Sequence, residues 1–152
     1  MYKTTLCYIE SRDMYLMLNR NKKDKDLNFG KWIGVGGKFQ ENETPDQCLI
    51  REVKEETGFL LDNYHFHGVI HFISEEDKED MYLYTAFVSE PVIPSQCDEG
   101  TFAWIQKEHI FELPLWEGDK LFLKKLLDGI PSFEMTLEYK EGKLIRATER
   151  DS

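Results

Sequence analysis

Three glutamates, Glu52, Glu55 and Glu56, fall within five consecutive positions of the stretch GKFQENETPDQCLIREVKEETGF, residues 37–59. A helix turns about 100° per residue, so on a helix these three share an arc of roughly 100° while Leu49, Ile50 and Val53 share another side. Glu52 and Glu56 are then i,i+4 neighbours of like charge, a repulsion of about 0.2–0.5 kcal/mol. Arg51 and Lys54 offset part of it, Arg51 lying i,i+4 from Glu55. A charge run of this kind is ordinarily a solvated face. Here it accompanies paired glycines, Gly36 and Gly37, and a capped helix start, and a hard divalent cation accounts for all of these together. Mg2+ or Mn2+ prefers oxygen ligands and usually takes one or two carboxylates plus substrate phosphates and water. Zinc more often takes Cys or His, and no H-E-x-x-H occurs here.

The elements that must position these acids are legible on either side. Thr44 is a good N-cap, Pro45 suits the first helical turn, and Gln47, three after Thr44, completes a capping box. Gly58 is a stop signal, so the helix is predicted over about 45–57. Before it, TTLCYI and MYLMLN read as strands around the turn ESRD, RNKKDKDLNFGK as a charged loop, and WIGVGG as a short strand running into the glycines. After it, YHFHGVIHF and MYLYTAFVS are predicted strands flanking the acidic loop SEEDKED. TFAWI is a further strand and HIFEL a helical turn. Helical periodicity spans Leu115 to Leu127, and FEMTLEY and KLIRAT form a hairpin around Glu141-Gly142. Strands dominate, with one helix mid-chain and one late, which predicts an α/β (α+β) fold, a mixed β-sheet with helices packed on it. His65 and His67 would share a strand face, which invites a metal site, but strand histidines more often pack or face solvent, and they are read so here.

With 152 residues the chain is expected to be a single domain, 1–152. Lys and Arg number 19 against 29 Asp and Glu, a balance of −10 that argues against a stable nucleic-acid complex. An anionic small ligand then needs local bases or bridging cations. No apolar run is long enough for a membrane span, and the N-terminus lacks a signal-peptide pattern, so a cytoplasmic protein is the expectation. Cys7, Cys48 and Cys97 form no C-x-x-C and read as buried or incidental thiols. Nothing in the sequence specifies an oligomer.

The spacing of Gly37, Glu43, Arg51, Glu52, Val53, Glu55, Glu56, Gly58 and Phe59 resembles the Nudix box, G-x5-E-x7-R-E-U-x-E-E-x-G-U with U apolar, at every defining position. Nudix hydrolases are pyrophosphohydrolases of nucleoside diphosphates linked to another group, on an α/β/α sandwich around a mixed sheet. The resemblance implies that Glu52, Glu55 and Glu56 ligate Mg2+, Glu55 or Glu56 also orienting water, with the carbonyl of Gly36 a further ligand. It implies that Arg51 orients the glutamates and that Glu43 holds the loop–helix geometry. Many family members recruit another acid from a later loop; QCDEGT supplies Asp98 and Glu99, and Glu99 is the one favoured here, a solvated loop acid being the alternative.

GKWIGVGGK, DEGTFAWI and PLWEGDKLF further resemble the MutT-type sanitisers of oxidised purine triphosphates, which convert 8-oxo-dGTP to the monophosphate and pyrophosphate. On that reading the partner is a nucleotide. Trp116 would stack on its base and Asp119 would hydrogen-bond a purine edge, unless Trp116 packs in the core and Asp119 caps the last helix. Arg20 and Lys38, with the backbone at Gly37, would meet phosphate, or Arg20 is merely solvated. Ile33 departs from the mammalian pattern, which has a base-reading Asn there; Ile33 has no side-chain hydrogen bond to offer, so base selection must rest on other groups. ADP-ribose, dinucleoside polyphosphates, NADH and capped RNA are the alternative family substrates, and a catalytically silent nucleotide-binding module is the alternative class.

Overall fold

The computed structural model describes residues 1–22, 28–95 and 99–151, without the side chain of Asp151; most of the charged loop, and Cys97 and Asp98, lie outside the described residues. The chain opens with a hairpin, β1 (Tyr2–Ser11) and β2 (Met14–Asn19), joined by Arg12 and Asp13 at φ 49° and 63°. Two positive-φ residues make the primed turn whose twist matches that of paired strands. Then follow β3 (Trp32–Ile33), β4 (Val35–Lys38), α1 (Pro45–Thr57), β5 (Tyr64–Ile73), β6 (Lys78–Phe87) and β7 (Thr101–Gln106). A 3-10 turn (Lys107–Glu112), α2 (Glu117–Leu127) and a closing hairpin, β8 (Phe133–Lys140) and β9 (Lys143–Asp151), complete it.

The strands form one mixed sheet in the order β3-β2-β1-β6-β5-β8-β9, with β4 also on β1 and β7 also on β2. β1 runs parallel to β6 and β5 parallel to β8; the other pairs are antiparallel. β1 explains why both faces are covered. Its alternate residues Leu6 and Tyr8 join Tyr15, Met17, Phe122 and Leu123 on the α2 side, while Cys7 and Ile9 join Leu16, Leu18, Leu49 and Val53 on the α1 side. A strand buried on both faces reads as a continuous apolar run, which is how TTLCYI reads. The expected α/β/α sandwich is therefore observed. Among the described residues no helix is long and apolar enough to cross a membrane.

α1 begins and ends where its sequence signals lie. Thr44 Oγ1 accepts from Gln47 N at 3.2 Å, the Gln47 side chain accepts from Thr44 N at 3.0 Å, and Gly58 closes the helix at φ 84°. The WIGVGG stretch, expected as one strand, divides at Gly34, with β3 on β2 and β4 on β1. β5 also departs from simple alternation: its register against β6 shifts between Phe66 and Gly68. Gly68 sits at φ 144° with no room for a Cβ, which would lie 1.8 Å from Phe133 O. At this bulge His67, the residue left unpaired, meets His65 edge-on at 4.5 Å. Each is otherwise engaged in packing, His65 Nε2 with Pro131 O at 2.8 Å and His67 Nε2 with Thr85 Oγ1 at 2.7 Å.

Beyond the bulge His71 lies between two carboxylates, 2.7 Å from Asp80 on β6 and 2.6 Å from Glu134 on β8, and Arg150 of β9 reaches Glu134 at 3.4 Å. Burial works against a charged ring, but the two acids outweigh it and raise the pKa above the usual 6.5. A raised folded-state pKa contributes stability that is full below the unfolded value and lost as pH rises through the folded one. The unfolding free energy of His71→Gln should therefore fall furthest below wild type in mildly acid solution and converge on it above neutrality. Urea titrations from pH 5.5 to 8.5 check this; a gap independent of pH contradicts it.

Candidate active site

The turn from β4 into α1 is held by one side chain. Arg51 Nε and Nη2 grip both oxygens of Glu43 at 2.6 and 2.9 Å, Nη1 donates to Glu52 Oε1 at 2.9 Å and Glu55 Oε2 at 3.2 Å, and Nη2 also donates to the carbonyl of Lys38 at 3.0 Å. A planar fork of five donors suits such bidentate, multi-acid contact in a way a lysine does not. Gln40 N donates to Glu43 Oε1 at 2.8 Å, so the acid is clamped from both sides. Its hydrogen bonds to Arg51 are the chief reason its pKa is held down at about 2. Glu43 thus ties the loop to the helix.

Glu56, one turn beyond Glu52, is differently placed. Its Oε2 is buried without a hydrogen-bond partner. Burial first, then the charges of Glu52 and Glu99, push its pKa well above the ordinary carboxylate range, with Arg20 pulling the other way. Glu99 is itself drawn to Arg20, at 3.7 Å. Glu55 turns outward, its side chain 58% exposed, and meets Arg51 rather than Glu56. The three helix acids therefore do not converge as the 100° arc suggested: Glu52 bridges the two groups, with Glu55 on the Arg51 side and Glu56 on the buried side. Among the described residues no three acidic, His or Cys side chains stand as a ready-made cage.

The glycines answer to this cluster. A Cβ on Gly37 would sit 2.5 Å from the Glu52 carboxylate, so that carboxylate lies directly over the strand. A Cβ on Gly36 would meet Thr5 O at 1.9 Å, where β4 pairs with β1. Cys48, buried beneath, donates to Gly37 O at 3.7 Å and contacts Thr5 Oγ1 at 3.4 Å. Lys38 places its ammonium 4.9 Å from the Tyr2 ring centroid.

The remaining candidates divide between the two faces of the sheet. Trp116 is the N-cap of α2 and is pinned at both edge and face. Its Nε1 donates to Asn28 Oδ1 at 2.6 Å, Lys31 Nζ lies 5.2 Å from its ring centroid, and Tyr139 meets it edge-on at 5.8 Å. Asp119, in the first turn of α2, is buried; that burial, reinforced by Glu79 and opposed by Lys31, pushes its pKa up to about 7. The buried Tyr8 hydroxyl, whose ionisation is disfavoured by burial and then by the charge of Asp119, has no hydrogen-bond partner among the described residues. Ile33 packs instead against the α1-side core, apart from Trp116 and Asp119. Asn28, Lys31, Tyr8 and Glu79 were not singled out in the sequence. Glu79 lay in SEEDKED, expected as an acidic loop, whereas β6 begins at Lys78 and takes Glu79 into the strand.

The chain is similar to known proteins over most of its length. The NUDIX domain model matches residues 3–126. The uncharacterized Nudix hydrolase YvcI of Bacillus subtilis (strain 168) is 27% identical over 142 residues, 90% of this chain and 86% of that protein. An oxidized purine nucleoside triphosphate hydrolase of Danio rerio is 34% identical over 107 residues, 69% of this chain and 68% of that one. The crystal structure of the MutT protein from Bacillus halodurans superposes with a TM-score of 0.88 at 25% identity, covering 100% of this chain and 99% of that one.

The stability of the Arg51 cluster is directly measurable. Arg51→Met leaves Glu43, Glu52 and Glu55 facing one another and should lower the unfolding free energy by about 1–3 kcal/mol. Arg51→Lys should restore less than half of that, because an ammonium cannot take Glu43 on two donors. Denaturant titration of the two variants checks both values, and an Arg51→Met within about 0.5 kcal/mol of wild type contradicts the hub.

Proposed function

The chain belongs to the Nudix hydrolase family, and on that footing we propose that it is a Mg2+-dependent cytoplasmic nucleoside triphosphate pyrophosphohydrolase. Its substrates are oxidised purine nucleotides such as 8-oxo-dGTP, and its products the monophosphate and pyrophosphate. The observation that carries the catalytic part is Glu56, a buried carboxyl with an unfilled oxygen beside Glu52. An all-oxygen donor set with an orphaned carboxylate oxygen suits a hard divalent cation. The Danio rerio relative, by what its name says, supports the choice of substrate.

The carbonyl of Gly36 and the carboxylates of Glu52, Glu55, Glu56 and Glu99 would hold Mg2+, or Mn2+ in its place. Such ions, when bound, neutralise phosphate oxygens, acidify the attacking water and stabilise the leaving phosphate. Arg51 keeps Glu52 and Glu55 oriented, and Glu43 keeps Arg51 in place against Gln40. Glu56 Oε2 is the acceptor available to orient the water. Arg20 and Lys38 supply positive charge to the polyphosphate, which a chain of net charge −10 otherwise repels. Trp116, fixed by Asn28, and Asp119 hold the base.

Initial rates of pyrophosphate release test both halves. With Mg2+, Glu56→Gln should lower kcat by about 100-fold or more, and chelation should abolish turnover in wild type. kcat/KM for 8-oxo-dGTP should exceed that for dGTP by about tenfold or more. Equal values for the two nucleotides contradict the substrate assignment, and equal rates for wild type and Glu56→Gln contradict the site.

A further inference from the structure

A cation faces the acids of α1 from the sheet. Arg20 leaves the end of β2, where its N–H donates to Lys31 O at 3.0 Å and its carbonyl accepts from Gly30 N at 2.7 Å. It follows Leu18 by two residues, and strand alternation turns it to the side on which Leu18, Phe102 and Val53 share one core cluster. Val53 lies within one helical turn of both Glu52 and Glu56. Glu99 is brought to the same place by β7. Asn19 pairs with Thr101, the Asn21 side chain donates to Thr101 Oγ1 at 3.2 Å, and a Cβ on Gly100 would lie 1.8 Å from Asn19 O. The two backbones are closed on each other, so any rearrangement here falls to the side chains of Arg20 and Glu99.

The contact between those side chains is loose. Arg20 Nη1 stands 3.7 Å from Glu99 Oε2, inside ion-pair range and beyond hydrogen-bond length, with the arginine side chain 18% exposed and the glutamate 40%. Arg51, by contrast, holds Glu43 on two donors at 2.6 and 2.9 Å and is committed to Glu52 and Glu55 as well. The charge of Arg20 also acts on Glu56, where it opposes the repulsion from Glu52 and Glu99. A guanidinium in this position works against a divalent cation in two ways. It repels the ion, and it draws on an oxygen that Glu99 would otherwise offer to it. A polyphosphate changes that balance, because its anionic oxygens can be taken by a guanidinium on two parallel donors.

We propose that Arg20 is a positioning residue that competes with the divalent cation for Glu99 and gives the carboxylate up when a polyphosphate engages its guanidinium. Arg20 thereby makes metal loading depend on the nucleotide. It weakens the metal site of the free protein and joins the substrate in the loaded one. The competition rests on the metal and nucleotide reading given above, and adds to it that metal together with nucleotide is preferred over metal alone.

The Mn2+ affinity of the intact, nucleotide-free protein, read from the free-ion signal in electron paramagnetic resonance, reports the competition without turnover. Arg20→Met should bind Mn2+ about tenfold more tightly than wild type. A merely structural arginine predicts the opposite, since losing it loosens the site. Arg20→Lys, which keeps the charge, should stay closer to wild type. With Mg2+ and 8-oxo-dGTP the KM of Arg20→Met should rise even though its metal affinity has risen too. On a Glu99→Gln background the same arginine change should alter Mn2+ affinity by no more than about twofold. Arg20→Gln takes the place of Arg20→Met if that variant does not fold. Equal or weaker Mn2+ binding in the folded arginine variant, or the full gain persisting without the Glu99 carboxylate, overturns the competition. Failure of every folded form to bind Mn2+ removes the metal site and the competition with it. A Glu99-dependent gain in a protein that releases no pyrophosphate from 8-oxo-dGTP upholds the competition and removes the proposed reaction instead.

Discussion

Glu43, Glu52 and Glu55 all bond the guanidinium of Arg51, and Glu56, one turn further along α1, is left with a buried oxygen that has no partner. Two guanidinium groups, those of Arg51 and Arg20, against the five carboxylates of Glu43, Glu52, Glu55, Glu56 and Glu99 are an unbalanced arrangement. A helix face designed only for stability would interleave bases with acids or turn the acids to water. Here one acid is turned inward, and its charged form is disfavoured by burial and by Glu52 and Glu99. The local structure stores a demand for positive charge. We take that demand to be the functional property of the site, because a divalent cation satisfies it while keeping positions open for phosphate.

The rest of the fold serves to hold this imbalance in place. The capping box sets where α1 starts, and so which residues of its turns face β4. The absence of a side chain at Gly37 lets the Glu52 carboxylate lie on the strand. β1 runs through the middle of the sheet and serves both of its sides, with Thr5 against Cys48 beneath the acid cluster and Thr4 against Glu79 on the opposite face.

Much of this was legible in the sequence, where the determining interaction is local. Thr44, Gln47 and Gly58 bounded α1 because caps are made by residues three or four apart, and the spacing of Arg51 and Glu55 gave their ion pair for the same reason. The hairpin turns were legible from polar pairs between apolar runs. What escaped depends on partners far along the chain. The bulge at Gly68 answers to Phe133, the division of β3 from β4 at Gly34 to pairing with different strands, and the fixing of Trp116 to Asn28, 88 residues away. Helical angle alone grouped Glu55 with Glu56; a competing guanidinium decided otherwise. Ile33 was considered with Trp116 and Asp119 because of a resemblance at one position, whereas strand pairing turns it toward the α1-side core.

If a divalent cation relieves the repulsion among the carboxylates of α1, thermal unfolding with and without Mg2+ at pH 8 registers it. Wild type should gain stability with Mg2+, by about 2.7 kcal/mol at a hundred times the dissociation constant. Glu56→Gln, which is buried neutral without having to bind a proton, should melt above wild type without Mg2+ and gain little when it is added. A Glu56→Gln protein that melts below wild type in the absence of the ion and still climbs with Mg2+ as wild type does would contradict the account.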